Sequence, residues 1–142
     1  MRQKPTYRLL KRPGPAALNG IITIYRAQGW WRRGDSPAML RRLISGSYLF
    51  AVAELDGRVI GMARAISDGV SDAYIQDVAV LKEFRGAGAG SGLVRALLKG
   101  LKSGGIKWVG LIAQDDSHPF YGPLGFSELK RARPMLLKGS YV

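Results

Sequence analysis

The chain has 142 residues, 22 Lys plus Arg against 10 Asp plus Glu, a single His and no Cys, for a formal net charge of +12. That length suits one domain with its own core, and 46% hydrophobic with 23% charged content is globular rather than disordered. The absence of Cys excludes disulfides, thiolate nucleophiles and Cys-ligated metal centres, the lone His excludes a His-rich metal site, and no apolar run approaches the roughly 20 residues of a membrane span.

In chain order, residues 6–10 read as a short strand closed by Pro13-Gly14-Pro15. Leu18, Ile21, Ile22 and Tyr25 then follow the i, i+3, i+4, i+7 spacing of a buried helical stripe, with Gly29 at its end. Ser36-Pro37 predicts an N-cap and a first-turn Pro for a second helix, whose inner face is Leu40, Leu43 and Ile44. Residues 49–55 and 58–66 read as strands joined by Asp56-Gly57, a pair that tolerates the positive φ of a type I′ turn. Residues 73–80 form a fourth strand, and Gly86, Gly88, Gly90 and Gly92 then run into Val94, Leu97, Leu98 and Leu101 at helical spacing. Residues 108–113 are a continuous apolar strand, 119–124 a short helix, and 126–129 with 135–137 a terminal strand pair. No repeat or linker divides the chain, so residues 1–142 read as one domain of the α+β class. The expected order is β-α-α-β-β-β-α-β-α-β, with one further strand allowed and helices on both faces of a mostly antiparallel sheet.

Glycine loops that open helices hold phosphate, because unpaired N–H groups and the helix dipole both face the ligand. Gly92 is followed by Leu93 and Val94, which rules out a P-loop, and no register of the four glycines gives Gly-x-Gly-x-x-Gly. Arg85-Gly86-Ala87-Gly88-Ala89-Gly90, preceded by Asp77-Val78-Ala79-Val80, instead resembles the signature of the GCN5-related N-acetyltransferase family: Arg or Gln, two residues, Gly, one residue, Gly or Ala after the fourth strand. Phe120-Tyr121-Gly122-Pro123-Leu124-Gly125-Phe126 is similar to the family's Phe-Tyr-x-x-Leu-Gly-Phe, and the likeness extends over about residues 6–137. Tyr25-Arg26-Ala27-Gln28-Gly29-Trp30 and residues 63–69 are similar to the bacterial and plastid group related to serotonin N-acetyltransferases.

The resemblance implies acetyl-coenzyme A as cosubstrate and no metal. The pyrophosphate would lie on the backbone of Arg85, Gly86, Ala87, Gly88, Ala89, Gly90 and Ser91, with the pantetheine arm along Val78, Ala79 and Val80. That arm needs the fourth and fifth strands to part. Tyr121 falls at the family's general-acid position, and a backbone N–H at or beside Val78 would polarise the thioester carbonyl. The family's base, where identifiable, is a carboxylate or His on the strand face that here carries Tyr74 and Gln76. Asp77 is the candidate catalytic or water-positioning carboxylate, although simple alternation sends it to the opposite face unless a bulge shifts the register. Glu54, Asp115 and Asp116 are other carboxylates that could approach, a water ordered by Gln76 is a further route for the proton, and His118 is either a base or a helix-start residue.

Trp30 and Trp31, with Tyr74 and Gln76, are the candidate acceptor contacts; the tryptophans either stack on an aromatic amine or pack under the second helix. The expected reaction is direct attack by a primary amine, small or aryl-alkyl, in a ternary complex. Competing readings are a protein lysine or N-terminal acetyltransferase, an inactive coenzyme A sensor and a basic nucleic-acid-binding module. The clusters Arg32-Arg33, Arg41-Arg42 and Lys130-Arg131 accompany no nucleic-acid motif, so contact with nucleic acid is expected to be non-specific only. The expectation is a cytoplasmic protein with no membrane partner, monomeric or homodimeric. Lys82, Arg85, Arg95 and Lys99 are the basic side chains near the phosphate-binding segment.

Overall fold

The strands of the hairpin expected at Asp56-Gly57 lie at the centre of the sheet. In the computed structural model, which describes residues 3–140, the first two and last two positions of the expected domain fall outside the description. β1 (Thr6–Leu9), β2 (Leu49–Leu55), β3 (Arg58–Ser67), β4 (Asp72–Val80) and β5 (Trp108–Leu111) form one sheet in sequence order. The first three pairings are antiparallel and the last, β4 with β5, is parallel. Asp56 and Gly57 both have positive φ, 51° and 74°, as the type I′ turn requires.

Residues up to Leu111 form one compact unit, in which both sheet faces are covered. One face takes α1 (Pro15–Ala27) and α2 (Pro37–Gly46), where Leu18, Ile21, Ile24, Leu40 and Ile44 pack with Phe50, Val52 and Met62. Ser36 caps α2 as its position predicts, its hydroxyl accepting the Met39 N–H at 3.2 Å. The other face takes α3 (Ala89–Ser103), which buries Leu93, Val94, Leu97 and Leu101. There the strands offer Ala51, Ala53, Gly61, Ala63 and Ala65, small side chains that let the helix approach closely.

Gly20 permits a similar approach on the α1 side, since a Cβ built on it would lie 2.9 Å from Val59 Cβ. Ala is the better helix former by about 1 kcal/mol. Even so, Gly20→Ala is expected to lower stability by about 1–3 kcal/mol through overpacking, read as a fall in the urea midpoint at constant slope.

Residues from Ile112 onward form a second unit. Its helix, α4 (His118–Tyr121), gives way at Gly122–Leu124 to a 3₁₀ turn, where Pro123 has no N–H to continue the α-helical ladder. The expected strands at 126–129 and 135–137 are corrected: neither segment is a strand, and Leu129, Met135, Leu136 and Leu137 are exposed. A strand exists only by pairing, and Pro134 and the positive φ of Arg131 interrupt this stretch. β5 likewise stops at Leu111 rather than residue 113. No helix among the described residues is long and apolar enough to cross a membrane.

Candidate functional site

Between the pairs Met62↔Ala79 and Arg64↔Gln76, β3 advances two residues while β4 advances three, so β4 carries a bulge. Asp77 sits in it with φ of 55°, a left-handed conformation that Asp tolerates better than most side chains. The bulge overrides the alternation that would have placed Asp77 opposite Gln76. Both now face Arg64, whose Nε donates to Asp77 Oδ2 at 2.7 Å and whose Nη2 donates to Gln76 Oε1 at 3.2 Å. Tyr25, reaching down from α1, donates its hydroxyl to the same Asp77 Oδ2 at 2.8 Å. The carboxylate oxygen that faces α1 is thus engaged by two donors, the geometry of an anchor.

Burial, and then the adjacent Asp77 carboxylate, hold the Tyr25 phenol well above its ordinary value of 10.0. A folded-state pKa above the unfolded one means that the native chain keeps a proton which the unfolded chain releases. The stability contributed by Tyr25 is therefore complete below pH ~10 and falls as pH rises beyond it. Alkaline unfolding that begins near that pH, and weakens in Tyr25→Phe, is the expected result. An unchanged alkaline limb in the variant would contradict it.

β5 pairs with β4 only from Asp72 to Ile75, and among the described residues no strand pairs with the same side of β4 from Gln76 to Val80. The strands part just before the bulge, leaving peptide groups for an extended ligand to use. Arg85 folds back at the far end of this edge, its Nε donating to the Val80 carbonyl at 3.0 Å. Val78, Ala79 and Val80 thus form the edge expected of them, with the Val80 carbonyl already engaged. After a 3₁₀ turn at Lys82–Phe84 the chain passes Gly86 and Gly88, both left-handed at φ of 84° and 83°, and enters α3 at Ala89. The open segment is shorter than expected, because Ala89, Gly90 and Ser91 already form the first helical turn. That turn has no side-chain cap and no acidic residue, so its N–H groups and dipole are uncompensated. A Cβ on Gly86 or Gly88 would meet no atom within 4 Å, which leaves room for a phosphate group beside this segment.

The candidate acceptor residues divide. Trp30 and Trp31 line a cleft of about 170 Å³ with Tyr25, Asp35, Met39, Leu40 and Leu43. Trp30 meets the Tyr25 ring edge-on at 6.2 Å, Trp31 packs partly against the core, and the Arg26 guanidinium lies 5.8 Å from the Trp31 ring centroid. Asp35 Oδ2 accepts the Arg32 backbone N–H at 2.7 Å. Neither Tyr74 nor Gln76 lines the cleft: Tyr74 packs against Trp108 at 5.2 Å, and Gln76 is linked to the wall residue Tyr25 only through Arg64 and Asp77. Glu54 pairs with Arg8 at 2.7 Å near the opposite sheet edge.

In the second unit Tyr121 meets Phe120 and Phe126 edge-on, at 4.8 and 5.8 Å, and burial raises its phenol above the ordinary value. His118 is the first residue of α4, and Asp115 and Asp116 occupy left-handed turn positions before it.

Tyr25 and Arg64 went unrecognised as site residues in the sequence. Tyr25 looks like one more member of a buried helical stripe, and only its hydroxyl sets it apart. Arg64 gives a clearer signal, because it is the one charged residue in the run 59–66 and its strand neighbour bears Gln76 and Asp77.

A sequence profile of the acetyltransferase (GNAT) family matches residues 16–126. Over 139 residues the chain is 38% identical to a histone acetyltransferase of Glycine max, the match covering 86% of this chain and 58% of that protein. Over 114 residues it is 35% identical to the chloroplastic serotonin N-acetyltransferase 2 of Oryza sativa subsp. japonica, covering 78% and 56%. The chain thus spans little more than half the length of these relatives. A GNAT-family acetyltransferase from Streptococcus pneumoniae TIGR4 superposes with a TM-score of 0.78 at 26% identity, covering 94% of this chain and 96% of that one.

Proposed function

The chain belongs to the acetyltransferase (GNAT) family, and from that premise we propose that it moves an acetyl group from acetyl-coenzyme A to a primary amine by direct attack in a ternary complex. The profile runs across the boundary between the two units, which supports reading residues 1–142 as one acetyltransferase domain. The observation that carries the proposal is the continuous track from the unpaired edge of β4, through left-handed Gly86 and Gly88, to the uncapped first turn of α3. Acetyl-coenzyme A, when bound, supplies the activated acetyl group. The N–H groups of residues 86–91 hold its pyrophosphate, with Lys82, Arg85, Arg95 and Lys99 adding positive charge nearby. Val78, Ala79 and Val80 offer peptide groups to the pantetheine arm, and an N–H at the bulge polarises the carbonyl. Tyr121, assigned by its motif, donates a proton to the departing thiolate.

Asp77 is not given the base's role, since Tyr25 and Arg64 already engage its Oδ2. Water ordered by Gln76 and backbone carbonyls instead carries the amine proton away. Trp30 and Trp31, with the Tyr25 ring between them and β4, form the wall against which an aryl-alkyl amine stacks, while Tyr74, packed on Trp108, lies outside the cleft.

The relatives' names point to two acceptor classes, a small arylalkylamine and a histone. Charge favours the first. Residues 1–50, which build α1 and α2, carry ten Lys or Arg against the single acid Asp35, a field that opposes a polycationic histone tail far more than a singly charged amine. Relatives named as chloroplastic give no support to the cytoplasmic expectation.

A thiol-release assay across arylalkylamines, polyamines, aminoglycosides and lysine peptides tests the acceptor. The expected result is highest kcat/KM for arylalkylamines. A preference for lysine peptides would shift the reading to a protein acetyltransferase.

A further inference from the structure

We infer that Tyr25 and Arg64 are positioning residues that act through Asp77 to hold the β4 bulge, and with it the Val78 peptide, in the orientation that acetyl transfer needs. The inference rests on the acetyltransferase reading above and assigns the carboxylate an anchoring role instead of an acid–base one.

Five observations converge on the bulge. A non-glycine residue at φ of 55° persists only where its surroundings over-determine it. Here those surroundings are two donors from separate elements, Tyr25 on α1 and Arg64 on β3, bonded to one oxygen. The second arm of Arg64 takes Gln76, so a single guanidinium holds Asp77 in the bulge together with the regularly paired residue just before it. The Arg64 and Asp77 side chains are only 16% and 22% exposed, which shields the pair from the solvent screening that makes surface ion pairs weak. Finally, the bulge begins two residues past Ile75, the last β4 residue paired with β5, just inside the free edge of β4 that opens at Gln76.

Tyr25 also has a second role in the geometry. Its ring is a wall of the Trp30–Trp31 cleft while its hydroxyl holds the bulge. An amine seated in the cleft would therefore rest against the side chain that orients the peptide at the thioester. Precise placement of reacting groups is worth large factors in rate, so a loosened bulge is expected to lower turnover more than cofactor affinity.

Three variants of the full chain separate an anchor from a base and from a merely structural network. Asp77→Gly keeps the left-handed backbone without strain and removes the side chain. Asp77→Asn tolerates the same backbone and still offers an oxygen to Tyr25 and Arg64 but cannot act as a base. Tyr25→Phe keeps the cleft wall and removes the hydroxyl. With acetyl-coenzyme A and phenethylamine as probes, Asp77→Gly is expected to lower kcat about 100-fold and Tyr25→Phe about tenfold, with KM for acetyl-coenzyme A within about twofold of the parent. Asp77→Asn is expected to recover most of the turnover lost in Asp77→Gly and to keep the parent pH profile. Hydrogen exchange over residues 74–80 is expected to quicken in Asp77→Gly and Tyr25→Phe while β2 stays protected.

An Asp77→Asn variant as inactive as Asp77→Gly, with an altered pH profile, would make Asp77 the base and overturn the inference. So would parent turnover and parent exchange in Tyr25→Phe. Failure of the acetyltransferase reading would look different: the parent itself would acetylate none of the amines, while the exchange measurement would still decide whether the three side chains hold the bulge.

Discussion

Gly88→Val is expected to weaken acetyl-coenzyme A binding about 100-fold while the chain stays folded, because the substitution misdirects N–H groups without disturbing a packed core. Gly88 precedes α3 with φ of 83°, a conformation that costs an L-residue about 1–2 kcal/mol and a β-branched one more. The position is exposed and a Cβ there meets no atom within 4 Å, so the effect does not come from overpacking. Relief of the strain must rotate the peptide groups leading into the first turn of α3. Those groups have no cap and no acidic neighbour, so an anion bound there depends on their direction. Calorimetric titration measures the loss, and the shift in Tm should stay within about 10 °C, that of a change of about 2 kcal/mol. Parent affinity in the variant would mean that the pyrophosphate lies elsewhere.

Tyr121→Phe is expected to lower kcat about 100-fold with little change in the Kd for acetyl-coenzyme A, since loss of a general acid commonly costs 10²–10⁴ in rate. The ring is held by edge-on contacts to Phe120 and Phe126, and Phe at this position preserves both. What disappears is the hydroxyl. Burial raises the phenol's pKa, which keeps the donor protonated and moves any alkaline loss of activity upward from its ordinary value of 10.0. A phenol kept protonated is a weak acid, and donating a hydrogen bond to a forming thiolate is the role that its motif assigns it. Turnover equal to the parent would remove Tyr121 from the mechanism.

The architecture was legible where local chemistry decides it. Asp56-Gly57 specifies its turn, Ser36-Pro37 its helix start, and the stripe at Leu18, Ile21, Ile22 and Tyr25 its buried face. The glycine segment was legible as a backbone feature, since Gly86 and Gly88 are left-handed and lead into α3 at Ala89, while the phosphate assigned to it belongs to the proposal. The apolar residues at 126–129 and 135–137 misled, since apolar alternation says nothing about whether a partner strand is present. The centre of the site was the least legible part. An extra residue in β4 emerges only from the pairing of β4 with β3, and that pairing decides which face Asp77 occupies. Nor does any local pattern link Tyr25 to Asp77, 52 residues away, or show that β5 ends before β4 does. These are properties of tertiary arrangement, and the chemistry of the site depends on them.

The positive charge divides in the same way. Lys82, Arg85, Arg95 and Lys99 belong to the segment assigned to a phosphate-bearing cosubstrate, whereas residues 1–50, which include the α1 and α2 segments proposed to face the acceptor, carry a separate excess. One cosubstrate does not require +12, and in the proposed reading the second group selects which amines approach.

Calorimetric titration of the full chain with acetyl-coenzyme A at low and at physiological salt tests the central claim most directly. Saturable one-to-one binding with a Kd of about 1–100 μM at physiological salt, somewhat tighter at low salt, is the predicted result. No binding at either salt concentration would contradict the assignment of the β4 edge and the Gly86–Gly88 segment to acetyl-coenzyme A.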